Sequence, residues 1–255
     1  MKCVIWTKRN CLTAMLCCLI VALTVAVATS GVKGIAAAAR LERAYPIYCV
    51  QKEEPVIGLS FDVVWSDEEI QQIIDILGHY QVKATFFVVG DWAGQYPQSV
   101  RALAAAGHEV QNGSNTHPHM AGMGQDAMLR EINACNDNIE HLTGIRPTLF
   151  RPPFGEYDDA LMDALGGLHM QCVLWDADSL DWKNLTSAEI TAQVADHVQN
   201  GSILRLHTAA KNMPEALPAV LERLRSDGYR LAPVSQILLP GRATVDRAGR
   251  QIPLS

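Results

Sequence analysis

Short apolar runs alternate with stretches of helical periodicity along the chain from residue 56 onward. Apolar or β-rich runs predict strands at 56–65, 82–89, 108–112, 147–151, 170–175, 202–207 and 229–234. Apolar residues at helical spacing predict helices at 70–77, 97–106, 125–142, 158–168, 186–199 and 214–227. About seven strands that alternate with helices indicate parallel pairing with right-handed crossovers, and therefore a β/α barrel or an open doubly wound sheet.

Capping-box patterns precede two of the predicted helices. Ser66 with Glu69 precedes the first helix, and Thr186 with Glu189 precedes the helix at 186–199. In a capping box the hydroxyl side chain and the acidic side chain each accept a backbone N–H at the helix start. We therefore expect both helices to begin at these boxes.

Polar side chains interrupt the apolar pattern at the ends of predicted strands. Asp62 is the one charged residue of the run at 56–65, and the other polar residues near strand ends are His117, His119, Arg151, Asp176, Asp178, Asp181 and His207. The carboxyl ends of parallel strands meet at one face of a β/α fold, where active sites form. This convergence predicts a catalytic site at that face.

Four of these positions make a consistent hydrolytic set. A carboxylate base, an arginine that holds it, a histidine acid and an aspartate that holds the histidine can together catalyse hydrolysis. Asp62, Arg151, His207 and the 176–182 loop supply these groups. Taken singly, each has a structural alternative: a turn cap, an ion-pair partner, a core histidine and an acidic loop. We favour the hydrolytic set because it accounts for all four together.

The N-terminal region differs from the rest of the chain. Residues 1–10 form a basic flank, and residues 11–30 are an apolar run of about membrane-spanning length. This run is predicted to be a signal-anchor helix or a cleaved signal peptide. In both cases the flank is cytoplasmic and the catalytic part lies outside the cell, at the membrane or secreted. Residues 31–54 then form a connector, 55–239 the folded domain and 240–255 a loose tail.

Charge excludes one class of partner. The first 40 residues carry five Lys or Arg and no acid, so the remaining chain carries 16 basic residues against 27 acidic ones, a net charge of −11. Proteins that bind nucleic acid through its phosphates present a basic surface. Nucleic acid is therefore not an expected partner.

The cysteines do not form a recognisable site pattern. Of seven in the chain, Cys49, Cys135 and Cys172 belong to the outer domain, and none shows the paired spacing of a zinc or redox site. We interpret them as small apolar residues. One disulfide among the three stays open as an alternative.

Seven short motifs carry a resemblance to a known family. They are SFD at 60–62, KATFFVVG at 83–90, GHEVQN at 107–112, THPHM at 116–120, RPPFG at 151–155, DADSLDW at 176–182 and GSILRLH at 201–207. In this order, within residues 56–239, they resemble the polysaccharide deacetylases. These carbohydrate esterase family 4 proteins, with a NodB homology domain, remove acetyl groups from chitin, peptidoglycan and related glycans. The resemblance implies the family's distorted (β/α) barrel with about seven parallel strands.

The resemblance also assigns roles to the hydrolytic set. It implies that Asp62 is the general base that activates water and that Arg151 orients this carboxylate. It implies further that His207 is the general acid that protonates the leaving amine. Either Asp178 or Asp181 would set the tautomer of His207.

Other residues of the same motifs are expected to contact the substrate, a polysaccharide. Leu206 and Trp182 would form an apolar wall for the acetyl methyl group. A backbone N–H near Phe154, in the turn that starts at Pro153, would help to stabilise the oxyanion.

The chain departs from the family pattern at the metal site. The family binds a divalent, zinc-like metal through an aspartate directly after the base and through two histidines four residues apart. The corresponding residues here are Val63, Gly113 and His117, so His117 alone retains a ligand side chain, with His119 as a further candidate. A catalytic zinc ion normally has three protein ligands and an open position, so the site is predicted to be incomplete.

Two functions follow from these features. The first is an extracellular deacetylase that acts on an N-acetylated cell-wall glycan such as peptidoglycan or a chitin-like oligomer. It rests on the base, the arginine, the acid and Trp182. The second is a catalytically weak or inactive relative that binds glycan or has a structural role in the envelope or spore. It rests on Val63 and Gly113.

Overall fold

The computed structural model describes residues 44–254. The predicted flank at 1–10, the signal or anchor helix at 11–30 and most of the connector at 31–54 lie outside these described residues. From residue 44 to residue 254, each helix is too short or too polar to cross a bilayer.

Eleven strands and eight α-helices make up residues 44–254. The strands are β1 (Cys49–Val50), β2 (Val56–Val63), β3 (Thr85–Val88), β4 (Glu109–Asn112), β5 (Leu149–Phe150), β6 (Gln171–Cys172), β7 (Ala177–Asp178), β8 (Ile203–His207), β9 (Arg230–Ala232), β10 (Ala243–Val245) and β11 (Arg250–Pro253). The helices are α1 (Ile70–His79), α2 (Gly90–Gln95), α3 (Pro97–Ala105), α4 (Gln125–Thr143), α5 (Asp159–Gly167), α6 (Ser187–His197), α7 (Met213–Ser226) and α8 (Val234–Ile237).

Seven strands form one sheet in the order β6-β5-β4-β3-β2-β8-β7, and β9 pairs with the start of β2. All of these pairings are parallel. Helices between the strands make the crossovers that parallel pairing requires. The structure confirms the predicted α/β class and the distorted barrel of about seven parallel strands.

The side chains of strand β2 alternate between the two faces of the sheet. Four of the strand's fully buried apolar side chains pack into the cluster formed with the helices: Ile57, Leu59, Phe61 and Val63. Because successive side chains of a strand alternate, Ser60 and Asp62 point to the inner face of the barrel. The register sets Asp62 beside Phe87 of β3 and His207 of β8.

One of the two predicted capping boxes forms. Thr186 and Glu189 make the reciprocal bonds at the start of α6, which confirms that prediction. The prediction for Ser66 and Glu69 is wrong. Helix α1 begins at Ile70 without a side-chain cap, and the Ser66 hydroxyl instead donates to the Glu69 carboxylate at 3.2 Å.

The predicted loose tail after residue 239 is instead a folded hairpin. Strands β10 and β11 pair antiparallel, and β11 pairs in parallel with β1. The Asp246 side chain closes the turn because it accepts the N–H groups of Ala248 and Arg250, each at 2.9 Å. The side chain of Gln251 is buried and accepts the Leu239 N–H at 2.8 Å. The polar residues that suggested disorder therefore hold the turn.

The folded region also begins before the predicted boundary at residue 55. Ile47 pairs in parallel with Val173, and β1 falls within the predicted connector. All three cysteines between residues 44 and 254 are free and buried. No disulfide therefore links them, and burial raises the pKa of the Cys172 thiol to about 12.

Candidate active-site cleft

A cleft of about 290 Å³, its open mouth included, lies at the carboxyl ends of the central strands. Its lining consists of Asp62, Val64, Phe87, Val89, Gly113, His117, Arg151, Pro152, Pro153, Phe154 and Trp175. Asp62 is the next-to-last residue of β2, and its register partner His207 is the last residue of β8. The parallel register therefore brings together two residues that are far apart in sequence.

Arg151 holds the Asp62 carboxylate. Its Nη1 donates to Asp62 Oδ1 at 2.8 Å, and its Nη2 donates to the Ser60 hydroxyl at 2.9 Å. The guanidinium also donates to the carbonyls of Val173 and Leu174 at 3.3 and 3.2 Å. The Arg151 side chain is 3% exposed and that of Asp62 is 16% exposed, so this ion pair is largely shielded from water. The Arg151 guanidinium is therefore fixed both by β2, through Ser60 and Asp62, and by the segment that follows β6.

Asp181 holds His207. The His207 ring Nδ1 lies 2.7 Å from Asp181 Oδ1, and the His207 backbone N–H donates to Asp181 Oδ2 at 2.8 Å. A carboxylate acceptor places the neutral ring's proton on Nδ1. The same contact leaves Nε2 on the side of Asp62, 4.0 Å from its Oδ2. Asp178, the other predicted partner, bonds to Arg205 instead, with Nη2 to Oδ2 at 2.6 Å. Of the two alternatives, the geometry selects Asp181.

Asp62 lies in an environment that favours its ionised form. Burial by itself raises the pKa of this carboxyl, but Arg151, His207 and Arg205 outweigh burial and hold the pKa below its ordinary value. Opposite charges within a few ångströms act in this direction. Asp62 is therefore a carboxylate at neutral pH, and a weaker proton acceptor than an unpaired aspartate.

Leu206 does not form the predicted wall of the cleft. It is fully buried in the cluster between the sheet and the helices, on the same side as its register partner Phe61. Alternation along β8 instead turns Arg205 and His207 toward Asp62. The prediction was wrong because it did not apply this alternation to residues 203–207.

The sequence interpretation missed Trp175, which lines the cleft, and Arg205, which packs on the Trp175 ring beside Asp62. The Arg205 guanidinium carbon lies 3.6 Å from the centroid of the Trp175 ring, and its Nη1 lies 3.9 Å from Asp62 Oδ2. The same ring is 5.5 Å from the Arg151 guanidinium carbon. The signal that could have found Arg205 is its position two residues before His207 in a strand, which places both side chains on one face.

Phe154 and Pro153, two of the other predicted substrate contacts, line the cleft, whereas Trp182 is not among the lining residues. Phe154 is 55% exposed, has a positive φ of 60° and stacks on the His119 ring at a centroid distance of 4.3 Å. Trp182 is 53% exposed. Pro153 lines the cleft beside Phe154. Exposed aromatic rings of this kind offer faces on which apolar groups of a ligand pack.

The turn at 153–155 contains the predicted oxyanion donor. The N–H groups of Gly155 and Glu156 donate to the carbonyls of Pro152 and Pro153, each at 3.1 Å. These two N–H groups are therefore already paired within the turn. The Phe154 N–H stays the predicted donor.

Residues at the family's metal positions do not fit a metal. Val63 is fully buried among apolar side chains. Gly113 has no side chain, and a Cβ added there would lie 3.3 Å from the Val88 carbonyl group. Burial lowers the pKa of His117, which faces the cleft. Within residues 44–254, no three His, Cys, Asp or Glu side chains are grouped so that they could hold a metal ion.

His119 does not replace the missing ligands. Its Nδ1 lies 2.9 Å from Glu156 Oε2, and its side chain is 70% exposed. The ring is stacked on Phe154, at the mouth of the cleft. Its contacts therefore link two loops at the mouth and do not direct a nitrogen toward Asp62.

The loop that carries His117 is nevertheless firmly held. The Glu131 carboxylate of α4 accepts the N–H groups of Asn115 and Thr116 at 3.0 and 2.8 Å. The Ser114 hydroxyl accepts the His117 N–H at 3.1 Å. Ser114 and His117 both have positive φ, a conformation that non-glycine residues adopt at a cost and that concentrates at functional sites.

Comparisons with known proteins agree with these features. The family model described as polysaccharide deacetylase matches residues 50–173. The uncharacterized protein YlxY of Bacillus subtilis is 29% identical over 193 residues, which are 76% of this chain and 60% of YlxY. The peptidoglycan-N-acetylmuramic acid deacetylase PdaC of Bacillus subtilis is 34% identical over 188 residues, which are 74% of this chain and 40% of PdaC. The chain thus spans less than two thirds of these two relatives.

Solved structures give the same result. Wild-type BA3943 from Bacillus anthracis, described as a CE4 family pseudoenzyme, has a TM-score of 0.74 at 28% identity, covering 77% of this chain and 69% of that chain. A BA3943 mutant is described as having restored enzymatic activity. The PdaC structure has a TM-score of 0.67 at 34% identity, covering 74% of this chain and 92% of that chain. This chain therefore belongs to the polysaccharide deacetylase family.

Proposed function

We propose that this protein binds an N-acetylated cell-wall glycan in the cleft and releases acetate slowly or not at all. One observation carries the proposal. The Asp62–Arg151 and His207–Asp181 pairs are both formed, whereas Val63 and Gly113 offer no ligand atom for a metal. The groups that would orient an acetylated sugar are present, and those that would activate water most strongly are missing.

The missing ligands bear directly on hydrolysis. A catalytic zinc ion lowers the pKa of bound water from 15.7 to about 7 and polarises the carbonyl. Without that help, Asp62 has to remove the proton from ordinary water. Its lowered pKa makes it a weak base for this task, so acetyl transfer to water should be slow.

The ligand class is supported by the relatives. PdaC is named a peptidoglycan-N-acetylmuramic acid deacetylase, and a Bacillus cereus relative, 29% identical, is named a peptidoglycan-N-acetylglucosamine deacetylase. BA3943, with a similar fold, is described as a pseudoenzyme. An uncharged N-acetylated glycan also suits a chain with a net charge of −6.

A second candidate function is slow deacetylation without a metal. It is favoured by the His207–Asp181 pair, which leaves His207 Nε2 directed at the cleft, 4.0 Å from Asp62 Oδ2. In this scheme Asp62 takes the proton of the attacking water, and His207, in its imidazolium form, gives its Nε2 proton to the leaving amine and becomes neutral. The amide C–N bond breaks, and acetate and a free amine form.

The site of action in this proposal is the outer side of the cytoplasmic membrane. The basic flank at 1–10 and the apolar run at 11–30 support it. A reporter fused after residue 255 in a bacterial host provides the test. Activity of a phosphatase that works only outside the cytoplasm is the expected result, and reporter activity confined to the cytoplasm contradicts it.

The main test measures binding, metal and acetate on the same full-length protein. Titration calorimetry with N-acetylglucosamine oligomers and soluble peptidoglycan fragments gives the affinity, elemental analysis the zinc content, and an enzymatic assay the acetate. Glycan binding with neither zinc nor fast acetate release is the expected outcome. Absence of glycan binding, or rapid acetate release with stoichiometric zinc, contradicts the proposal.

The His207→Ala variant separates the two candidates. If slow acetate release occurs without metal and disappears in this variant while binding persists, the second candidate is correct. If acetate release is absent in both proteins, binding is the function.

A further inference from the structure

We infer that Arg205 is the residue that recognises the acetyl carbonyl of the bound sugar. This inference rests on the proposed function, because it names the contact by which the cleft would distinguish an acetylated sugar from a deacetylated one. Arg205 belongs to none of the roles that the family resemblance assigns. Arg205 is a candidate because the structure places its guanidinium close to Asp62.

The Arg205 guanidinium is held in one orientation. Its Nη2 donates to Asp178 Oδ2 at 2.6 Å, and its face lies 3.6 Å from the centroid of the Trp175 ring. Its side chain is 12% exposed. A cation fixed by a carboxylate and an aromatic face loses little freedom when a ligand arrives, which favours binding.

A gap separates this guanidinium from the two groups that it faces. Asp62 Oδ2 lies 3.9 Å from Arg205 Nη1 and 4.0 Å from His207 Nε2. Both distances are too long for direct hydrogen bonds. The other oxygen of this carboxylate, Oδ1, is already bonded to Arg151 at 2.8 Å. The inner end of the cleft thus presents an acceptor, Oδ2, and a donor, Nη1, that do not satisfy each other.

The carbonyl of an acetamido group matches the free donor. Its oxygen accepts an N–H from Arg205 Nη1, while its own N–H, on the opposite side of the trans amide, points away from Asp62 Oδ2. A hydrogen bond from a guanidinium to a carbonyl oxygen is charge-assisted and stronger than a neutral one. Deacetylation removes this carbonyl and leaves an ammonium, which Arg205 repels and Asp62 attracts. Arg205 therefore favours the acetylated form through attraction to one group and repulsion of the other.

Trp175 completes the recognition in this arrangement. Its ring lines the cleft and covers the Arg205 guanidinium. The indole excludes water from one face of the cation, which strengthens the bond that Arg205 donates to a ligand. This shielding explains how one arginine can discriminate between two sugars that differ by a single acetyl group.

The test compares two ligands of equal length, tetra-N-acetylchitotetraose and its fully deacetylated counterpart, by titration calorimetry at pH 7. The full-length wild type is compared with Arg205→Met, Arg205→Lys and Arg223→Met. Arg223 is a matched control because it is an exposed arginine, 49% exposed, paired with Asp227 on α7. Circular dichroism and thermal unfolding establish that each variant is folded.

The expected readout is the ratio of the two affinities. The wild type and Arg223→Met should prefer the acetylated tetramer. Arg205→Met should lose about tenfold or more of that preference, since a charge-assisted hydrogen bond is removed. Arg205→Lys should lose part of it, because an ammonium cannot contact Asp178 and a ligand carbonyl with the geometry of the planar fork.

The outcomes separate this inference from the proposed function. If the wild type binds neither tetramer nor peptidoglycan fragments, the proposed function fails. If the wild type prefers the acetylated tetramer and both Arg205 variants keep the same ratio, Arg205 recognition is wrong while glycan binding stands. Where Arg205→Met does not fold, the ratio in Arg205→Lys decides alone.

Discussion

The two sides of the cleft differ in how their polar groups are held. On the side of β2 and β8, called here the base–acid side, Asp62 is bonded to Arg151 and His207 to Asp181. On the side of the loop after β4, called here the His117 side, Gly113 has no side chain, and the residue that follows Asp62 on β2 is the buried, apolar Val63. The base–acid side keeps its geometry through contacts within the chain. It therefore needs no shared metal to stay arranged, and this explains how one half of a hydrolytic site persists without the other.

The largest expected effect comes from the base–acid side. Arg151→Met removes the partner of a carboxylate that is 16% exposed, and it leaves the carbonyls of Val173 and Leu174 without a donor. Removal of one partner of a buried ion pair costs about 3–5 kcal/mol. Urea unfolding at pH 7 should show a loss of that size.

Two comparisons sharpen this prediction. Arg146→Met breaks exposed ion pairs with Asp137 and Glu140 and should cost less than about 1 kcal/mol. Arg151→Met combined with Asp62→Asn should be more stable than Arg151→Met alone, because no uncompensated charge remains. Equal losses in Arg151→Met and Arg146→Met would show that the base–acid side is not held as described.

The next largest effect concerns the His117 side. Val63→Asp places a carboxylate in a fully buried apolar cluster and should destabilise the fold by about 2–3 kcal/mol, with Val63→Asn as the uncharged control of equal shape. Combined with Gly113→His, it restores the ligand types of the family at both positions, and a shared metal then requires the side chain at 63 to turn from the core toward His117. The close approach of position 113 to the Val88 carbonyl requires a shift of a few tenths of an ångström there.

Zinc separates this double variant from the wild type. Saturating zinc, at about a hundred times the dissociation constant, should stabilise the double variant by roughly 2.7 kcal/mol. It should leave the wild type and Val63→Asn unchanged in thermal unfolding. If zinc stabilises the wild type as well, the two sides of the cleft do not differ in the way proposed.

The sequence was most informative where local rules determine the structure. The alternation of strands and helices predicted the parallel sheet, and the order of polar strand ends predicted which side chains meet. The alternation rule would also have placed Leu206 in the core and Arg205 in the cleft. The local sequence of β8 is therefore sufficient to assign the faces of these two residues.

Other features depend on distant contacts. Asp178 and Asp181 lie in the same loop, three residues apart, and the choice between them depends on Arg205 attracting one and the His207 backbone N–H bonding the other. The hairpin of β10 and β11 forms because β1 provides an edge, about 200 residues away in the chain. No local pattern contains these partners, so the sequence alone could not resolve them.

The smallest expected effect is a difference in pH response between the two sides. The pKa of Asp62 lies below its ordinary value of 3.8, so this carboxylate contributes stability above that pH, and the contribution is lost as the pH falls through the lower, folded-state value. The pKa of His117 lies below its ordinary value of 6.5 because burial favours the neutral ring. Protonation of His117 therefore favours unfolding, and stability falls as the pH drops below about 6.5.

Urea unfolding of the wild type, Asp62→Asn and His117→Gln between pH 7 and pH 3 measures this difference. Between pH 7 and pH 5, the wild type should lose stability relative to His117→Gln. Its stability relative to Asp62→Asn should not fall, because the Asp62 charge favours the protonated His117 ring. Below about pH 4, its advantage over Asp62→Asn should shrink. The same pH response in both variants would mean that the two sides of the cleft titrate as one unit, and that His117 is coupled to Asp62 more tightly than their separate contacts indicate.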